Sequence, residues 1–193
     1  LESGCFDRVI VSSDDQEILE IAENAGAEAS RRSDHLGSDT ASIEDVCIEF
    51  LDREAVKGLT YETLAVLYAT AALRNADDIR NTMSLLNDES CDCALATTDF
   101  SHYVHQALVL HEKDYVTPRW PELYLKPPAE IGPLVGGNGS TYCAKIEPFR
   151  ASRQLVGERT RAYLMPMNRS IDIDTMEDFH LAESIHRLQS QLG

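Results

Sequence analysis

The chain has 193 residues, enough to bury the core of one α/β domain. Its 33 acidic and 17 basic side chains give a formal net charge of −16. That balance speaks against a nucleic-acid partner, where a basic stripe is expected, and against an anionic membrane surface. No apolar run is long enough to span a bilayer, and Leu1 opens directly into polar sequence, so neither a membrane anchor nor a secretory leader is expected.

Taken in chain order, strands and helices alternate. Asp7 to Ser13 is short, β-branched and largely apolar, as expected for a strand covered on both faces. Asp14 and Asp15 cap a helix whose apolar positions Ile18, Ile21, Ala22 and Ala25 follow the helical period, and Gly26 ends it. A short strand from Ala27 to Ala29 leads into a polar loop, Arg31 to Thr40. A second helix covers Ser42 to Glu54, with Ile43, Val46, Cys47 and Phe50 inward. Leu64 to Tyr68 (LAVLY) reads as a central strand. Asn75 caps a third helix with Ile79, Met83 and Leu86 inward, while Asp77 and Asp78 read as its solvated start. Ala94 to Thr97 is another strand.

The stretch from Asp99 to Gly137 breaks the rhythm, with five prolines (Pro118, Pro121, Pro127, Pro128 and Pro133) beside histidines and aromatics. So long an irregular stretch reads as a lid, an insertion or a partner-binding arm. Regular structure returns as a strand from Thr141 to Lys145, a short helix near Pro148 and a strand from Ala162 to Met165. A last helix runs from Met176 to about Leu192, with Phe179, Ala182, Ile185 and Leu188 on one face. The βαβα order predicts a three-layer α/β/α fold around a mostly parallel, Rossmann-like sheet.

The five cysteines are an odd, scattered set, which points to a reducing compartment and so to the cytoplasm. Cys91-Asp92-Cys93 has no second pair at zinc spacing and reads as a strand entrance. The six histidines show no metal spacing either and read as surface or packing residues.

The most informative stretch is Ser170 to Phe179, SIDIDTMEDF. In an extended segment, side chains two apart point the same way, so Asp172 and Asp174 emerge together while Ile171 and Ile173 face a core. Two hard oxygen donors side by side suit Mg²⁺, which completes its shell with water and substrate phosphates. Acids at a helix start also serve simply to favour the helix dipole, so both readings stand at this point. Thr175 then begins the last helix, with Asp178 three residues on as a weaker capping box.

Five blocks in order, DRVIVSSDD (Asp7 to Asp15), RRSDHLGSDTAS (Arg31 to Ser42), VLYATAALRNADDI (Val66 to Ile79), NGSTYCAK (Asn138 to Lys145) and SIDIDTMEDFHLAE (Ser170 to Glu183), resemble the CMP-sugar synthetases. These are the cytidylyltransferases for acylneuraminate and related nonulosonic acids. The resemblance spans nearly the whole chain and implies one cytidylyltransferase-like domain over residues 1–193, of the nucleotide-diphospho-sugar transferase type. It implies transfer of CMP from CTP to an acidic nine-carbon sugar, with release of pyrophosphate. By the same resemblance Asp172 and Asp174 hold Mg²⁺ and are catalytic. Arg32, Leu36, Gly37 and Ser38 bind the nucleotide, and Tyr68, Asn138 and Tyr142 the sugar. The insertion, about 99–137, resembles a dimerisation arm, which implies a homodimer.

Three departures qualify this. The acylneuraminate enzymes place Gln where this chain has Tyr68, and YATA (Tyr68 to Ala71) looks more like the pseudaminate branch. Arg119 is the nearest counterpart of the family's Arg-Gln pair, at a longer spacing. The chain opens at a position resembling the end of the helix before the family's second strand. The phosphate-cradling Gly-, Arg- and Lys-rich loop is therefore expected to be missing, and the chain alone inactive. A non-catalytic homologue that keeps fold and dimer contact is the alternative. Without the resemblance, Arg32 reads as a solvated loop arginine, Asn138 as a turn residue and Tyr142 as a strand aromatic.

Overall fold

A capping carboxylate sets the first helix. Strand β1 (Ile10–Ser13) runs into α1 (Gln16–Asn24), where Asp15 Oδ1 accepts the Glu17 N–H at 2.7 Å and the Ile18 N–H at 3.2 Å. Gly26, at φ +87°, ends the helix in the left-handed region that a glycine adopts without penalty. Strand β2 (Glu28–Arg31) then lies parallel to β1, with Ile10 opposite Glu28 and Ser13 opposite Arg31. The described residues of this computed structural model are 1–33, 42–100 and 102–192.

The apolar residues of α1 form two adjacent stripes, and the sequence favours the wrong one. Leu19 and Ala22 are buried against the β1–β2 pair, while Ile18 and Ile21 are exposed. A two-stranded sheet covers only a narrow strip of helix, and the leucine stripe fills it.

Helix α2 (Ile43–Val56) starts at Ser42, whose hydroxyl accepts the Asp45 N–H at 3.1 Å. Strand β3 (Thr63–Leu67), helix α3 (Ala76–Ser84) and strand β4 (Cys93–Asp99) follow. Asn75 and Asp78 form a reciprocal capping box at the start of α3. Asp78 is fully buried, however, and accepts a hydrogen bond from the Tyr163 hydroxyl at 3.2 Å. It is an interior group and not part of a solvated face, because the box turns its carboxylate back towards the chain.

Between Asp99 and Gly137 lie a hairpin of β5 (Leu108–Leu110) and β6 (Val116–Pro118) and two one-turn helices, α4 (Pro121–Tyr124) and α5 (Pro128–Ile131). Prolines open both short helices, where a missing N–H costs nothing. Strand β7 (Val135–Lys145), helix α6 (Ile146–Ser152), strand β8 (Thr160–Leu164) and helix α7 (Met176–Leu192) complete the order.

The larger sheet has the order β3-β7-β4-β8, and β3 pairs antiparallel with β7 from Thr63 opposite Lys145 to Leu67 opposite Thr141. LAVLY therefore stands at one end of this order and not at its centre, which is why Leu64 to Leu67 are only half-buried. Strand β7 begins six residues before the expected Thr141, since it carries three glycines that no strand propensity favours.

The chain divides into two compact units. The first comprises residues 1–68, 74–95 and 141–163. Its core packs Cys47, Leu51, Cys93, Ala144, Ile146, Phe149 and Leu155 together. Burial pushes the thiols of Cys47 and Cys143 up to about 12, so they act as apolar packing groups. The same unit holds Glu54, 2 % exposed, which accepts hydrogen bonds from Lys57 at 2.7 Å, from Arg8, and from Tyr61 at 3.0 Å. The second unit comprises residues 69–73, 96–140 and 164–193. Its buried residues are few and mostly small: Ala71, Ala96, Met165 and Ala182, together with Thr97, His105, Asn138 and Ser140. Helix α7 accordingly buries a strip one residue wide, Ala182 with half-buried Ile185, and leaves Phe179 and Leu188 exposed. Among the described residues, no helix is long and apolar enough to cross a membrane.

Candidate active site

The paired acids lie in the second unit. Residues 170–174 form no sheet strand; a turn at Met167–Arg169 precedes them, and a backbone bond ties Ile173 to a distant segment. That bond runs from the Ile173 N–H to the Thr70 carbonyl at 3.1 Å. The segment is nonetheless extended enough for the alternation to survive: Ile171 and Ile173 are half-buried, Asp172 and Asp174 exposed. Both carboxylates leave on the solvent side, and among the described residues neither has a side-chain hydrogen-bond or ion-pair partner.

Asp172 is seated against Gly139 of β7. Gly139 has φ +67°, and a Cβ built there would lie 2.6 Å from Asp172 Oδ2 and 3.0 Å from its Cγ. Only a glycine meets both demands, a left-handed backbone and a carboxylate in van der Waals contact. The Asn-Gly pair is the sequence signal for such a backbone.

Asn138 is buried and committed inward. Its amide nitrogen donates to Ser170 Oγ at 2.9 Å and to Met165 Sδ at 3.2 Å, and its oxygen accepts the Ser140 N–H at 3.1 Å. Ser170 Oγ in turn donates to the Pro166 carbonyl at 2.9 Å. Asn138 thus fixes the start of the segment that carries Asp172, which sequence patterning does not reveal.

The far end of that segment is fixed by the expected capping box. Asp178 Oδ2 accepts the Thr175 N–H at 2.9 Å and the Thr175 hydroxyl at 2.7 Å, while Thr175 Oγ1 accepts the Asp178 N–H at 3.2 Å. These bonds from Thr175 hold the Asp178 carboxyl below the usual carboxylate range. The acid pair is therefore held from both sides and from beneath.

The remaining predicted residues within the described part of the chain lie in the first unit. Tyr68 follows β3, Tyr142 lies on β7, and their rings meet edge to face with centroids 5.7 Å apart and planes at 84°. Arg74 Nη1 donates to the Tyr68 carbonyl at 2.7 Å, and burial lowers the guanidinium's affinity for its proton. Arg32 is not a solvated loop arginine. Its N–H donates to the Ser13 carbonyl at 2.9 Å and its Nη2 to the Ser12 carbonyl at 2.6 Å, at the C-terminal end of β1. Its Nε is buried with no partner among the described residues. Leu36, Gly37 and Ser38 lie outside the described residues. Arg119 lies over the Trp120 ring, 6.0 Å from its centroid.

Among the described residues, no group of three or more metal-type ligands converges. A pair of exposed carboxylates without protein partners, one of them cradled where a Cβ would sit, still fits a cation that takes one or two protein oxygens and fills its shell otherwise.

The chain is similar to proteins of named activity over nearly its whole length. The chain is 26% identical to the pseudaminic acid cytidylyltransferase of Campylobacter jejuni, over 99% of this chain and 83% of that protein. It is 24% identical to the CMP-N,N'-diacetyllegionaminic acid synthase of Legionella pneumophila over the same shares, 99% and 83%. It is 27% identical to the N-acylneuraminate cytidylyltransferase of Escherichia coli over 99% of this chain and 45% of that longer protein. The CTP complex of CMP:2-keto-3-deoxy-manno-octonic acid synthetase superposes with a TM-score of 0.63, covering 98% of this chain and 83% of that one. At 15% identity that likeness shows the fold, an α/β nucleotide-diphospho-sugar transferase fold as expected from the sequence. The family model for cytidylyltransferases matches residues 1–124, and the chain belongs to the cytidylyltransferase family.

Proposed function

We propose that this protein is a CMP-sugar synthetase, which transfers CMP from CTP to an acidic nonulosonic sugar of the acylneuraminate, pseudaminate or legionaminate kind and releases pyrophosphate. The observation that carries this reading is the seat of Asp172 on Gly139, beside Asp174, in a member of the cytidylyltransferase family. Relatives named for pseudaminic, acylneuraminic and diacetyllegionaminic acids support the substrate class.

The sugar's anomeric hydroxyl attacks the α-phosphorus in line as pyrophosphate leaves. Such transfers depend on positioning and on neutralising phosphate oxygens. Asp172 and Asp174 suit Mg²⁺, which when bound supplies that neutralisation and favours loss of the hydroxyl proton. Asn138, Thr70 and the Thr175–Asp178 box keep the two carboxylates in place. The Tyr68–Tyr142 pair offers the sugar an aromatic edge, and Arg32 with Leu36, Gly37 and Ser38 serves the nucleotide. The exposed apolar residues of the insertion support a homodimer, and five free thiols support a cytoplasmic site of action.

The test uses protein expressed from its complete reading frame, supplied with CTP, Mg²⁺ and a panel of nonulosonic acids, with pyrophosphate release as the readout. Release with at least one acid is expected. The Asp172→Asn and Asp174→Asn variants should each lower kcat by about two orders of magnitude or more with Tm nearly unchanged. No release with any acid overturns the reading and favours the non-catalytic homologue.

A further inference from the structure

A cavity of about 280 Å³ lies within the second unit and is lined by Phe100, His105, Pro128, Ile131, Pro133 and Leu134 among others. His105 is 4 % exposed, and its Nε2 is buried with no hydrogen-bond partner among the described residues. The ring packs against Tyr103, with centroids 5.7 Å apart and planes at 40°. Leaving a buried ring nitrogen unpaired is costly, and native structures nearly always supply a partner.

We propose that this cavity is the subsite for an acylamino substituent of the acidic sugar, with His105 Nε2 as its hydrogen-bond partner; the proposal rests on the function inferred above. The lining decides the chemistry. No Lys or Arg lines the cavity among the described residues, and Asp99 does, so a phosphate or carboxylate is disfavoured. Phe100, Pro128, Ile131, Pro133 and Leu134 supply apolar walls, and Asp99, His102, Tyr103 and His105 the polar part of the lining. An acylamino group carries a carbonyl acceptor and an N–H donor, so it satisfies Nε2 in either tautomer. Its alkyl end meets Ile131 and Leu134. A hydroxyl in its place would satisfy the nitrogen but leave the apolar walls unfilled.

The cavity is tied to the strand that seats Asp172. A Cβ built on Gly136 would come within 2.9 Å of Phe100 Cζ, so the Phe100 wall packs directly on β7. Gly136 precedes Gly139 by three residues, roughly 10 Å along a strand at about 3.3 Å per residue. One β-strand therefore backs a wall of the cavity and carries the seat of the acid.

The experiment compares two acidic sugars that differ only in an acylamino group or a hydroxyl at one carbon. His105→Phe removes Nε2 while keeping a ring, and Ile131→Trp fills the cavity while keeping His105. In each variant KM for the acylamino sugar should rise about tenfold or more, with KM for CTP and for the hydroxyl sugar held within about twofold. Equal changes for both sugars, or none, overturn the subsite. A second measurement is independent of turnover: in ¹⁵N-histidine-labelled protein, an N-acetylated amino sugar should shift the His105 Nε2 resonance in the unaltered protein and not in Ile131→Trp. An unshifted resonance overturns the proposal, and means that the nitrogen is served by water alone. If the unaltered protein releases no pyrophosphate with any acid, the function falls while the histidine resonance still decides the subsite.

Discussion

At Gly139 a single methyl group separates two outcomes. The backbone sits at φ +67°, and the space where a Cβ would go is taken by the Asp172 carboxylate. Gly139→Ala should therefore cost about 1–2 kcal/mol of stability for the left-handed backbone. It should also push Asp172 off its seat, lowering kcat about 10²-fold, as displacements near 1 Å do in positioned sites. Urea denaturation beside the pyrophosphate assay checks both numbers. A variant with full turnover and lowered stability would show that the seat has no part in the reaction. The acid pair itself was legible in the sequence, because alternation with two isoleucines needs only local geometry. The residues beneath it were not. Thr70 and Ser170 act through bonds between segments far apart in the chain, and no local pattern marks them.

Within the elements, the buried carboxylate of α2 gives a pH signature. Hydrogen bonds from Lys57, then Arg8 and Tyr61, bring Glu54 down to about 2 from an ordinary 4.5. A carboxyl whose folded value is depressed stabilises the fold above its unfolded value and loses that contribution as pH falls through the folded one. Stability should thus decline between about pH 4.5 and 2 on this account. Glu54→Gln should lose roughly 1–2 kcal/mol at neutral pH and show a shallower acid decline, measured as urea midpoints at neutral pH and near pH 3. The helix caps at Asp15, Asn75 and Thr175 were readable because each needs one polar side chain beside its own helix. The inward faces were harder. In α1 and α7 apolar residues occupy more of the surface than the neighbouring elements cover, and packing alone selects Leu19 over Ile18 and Ala182 over Phe179. Asp78 shows the converse, an acid buried by its own capping box.

On the scale of the whole molecule, the insertion leaves apolar surface without a cover. Leu110 is 69 %, Tyr115 72 % and Leu125 90 % exposed. Large exposed apolar groups in one segment mark an interaction surface. A homodimer is expected by multi-angle light scattering at micromolar concentration, and Leu110→Glu with Tyr115→Glu should give a monomer of similar Tm. A monomeric unaltered protein would remove the arm from the interface. Strand β7 has a consequence of another kind. Its eleven residues, Val135–Lys145, carry Phe100's neighbour, the glycine under Asp172, the partner of Tyr68 and the whole register with β3. Dropping or adding one residue between Gly139 and Lys145 would turn every later side chain to the opposite surface. This run behaves as a ruler: apart from Gly136 and Gly139, letters along it can be exchanged during descent, but its length cannot drift.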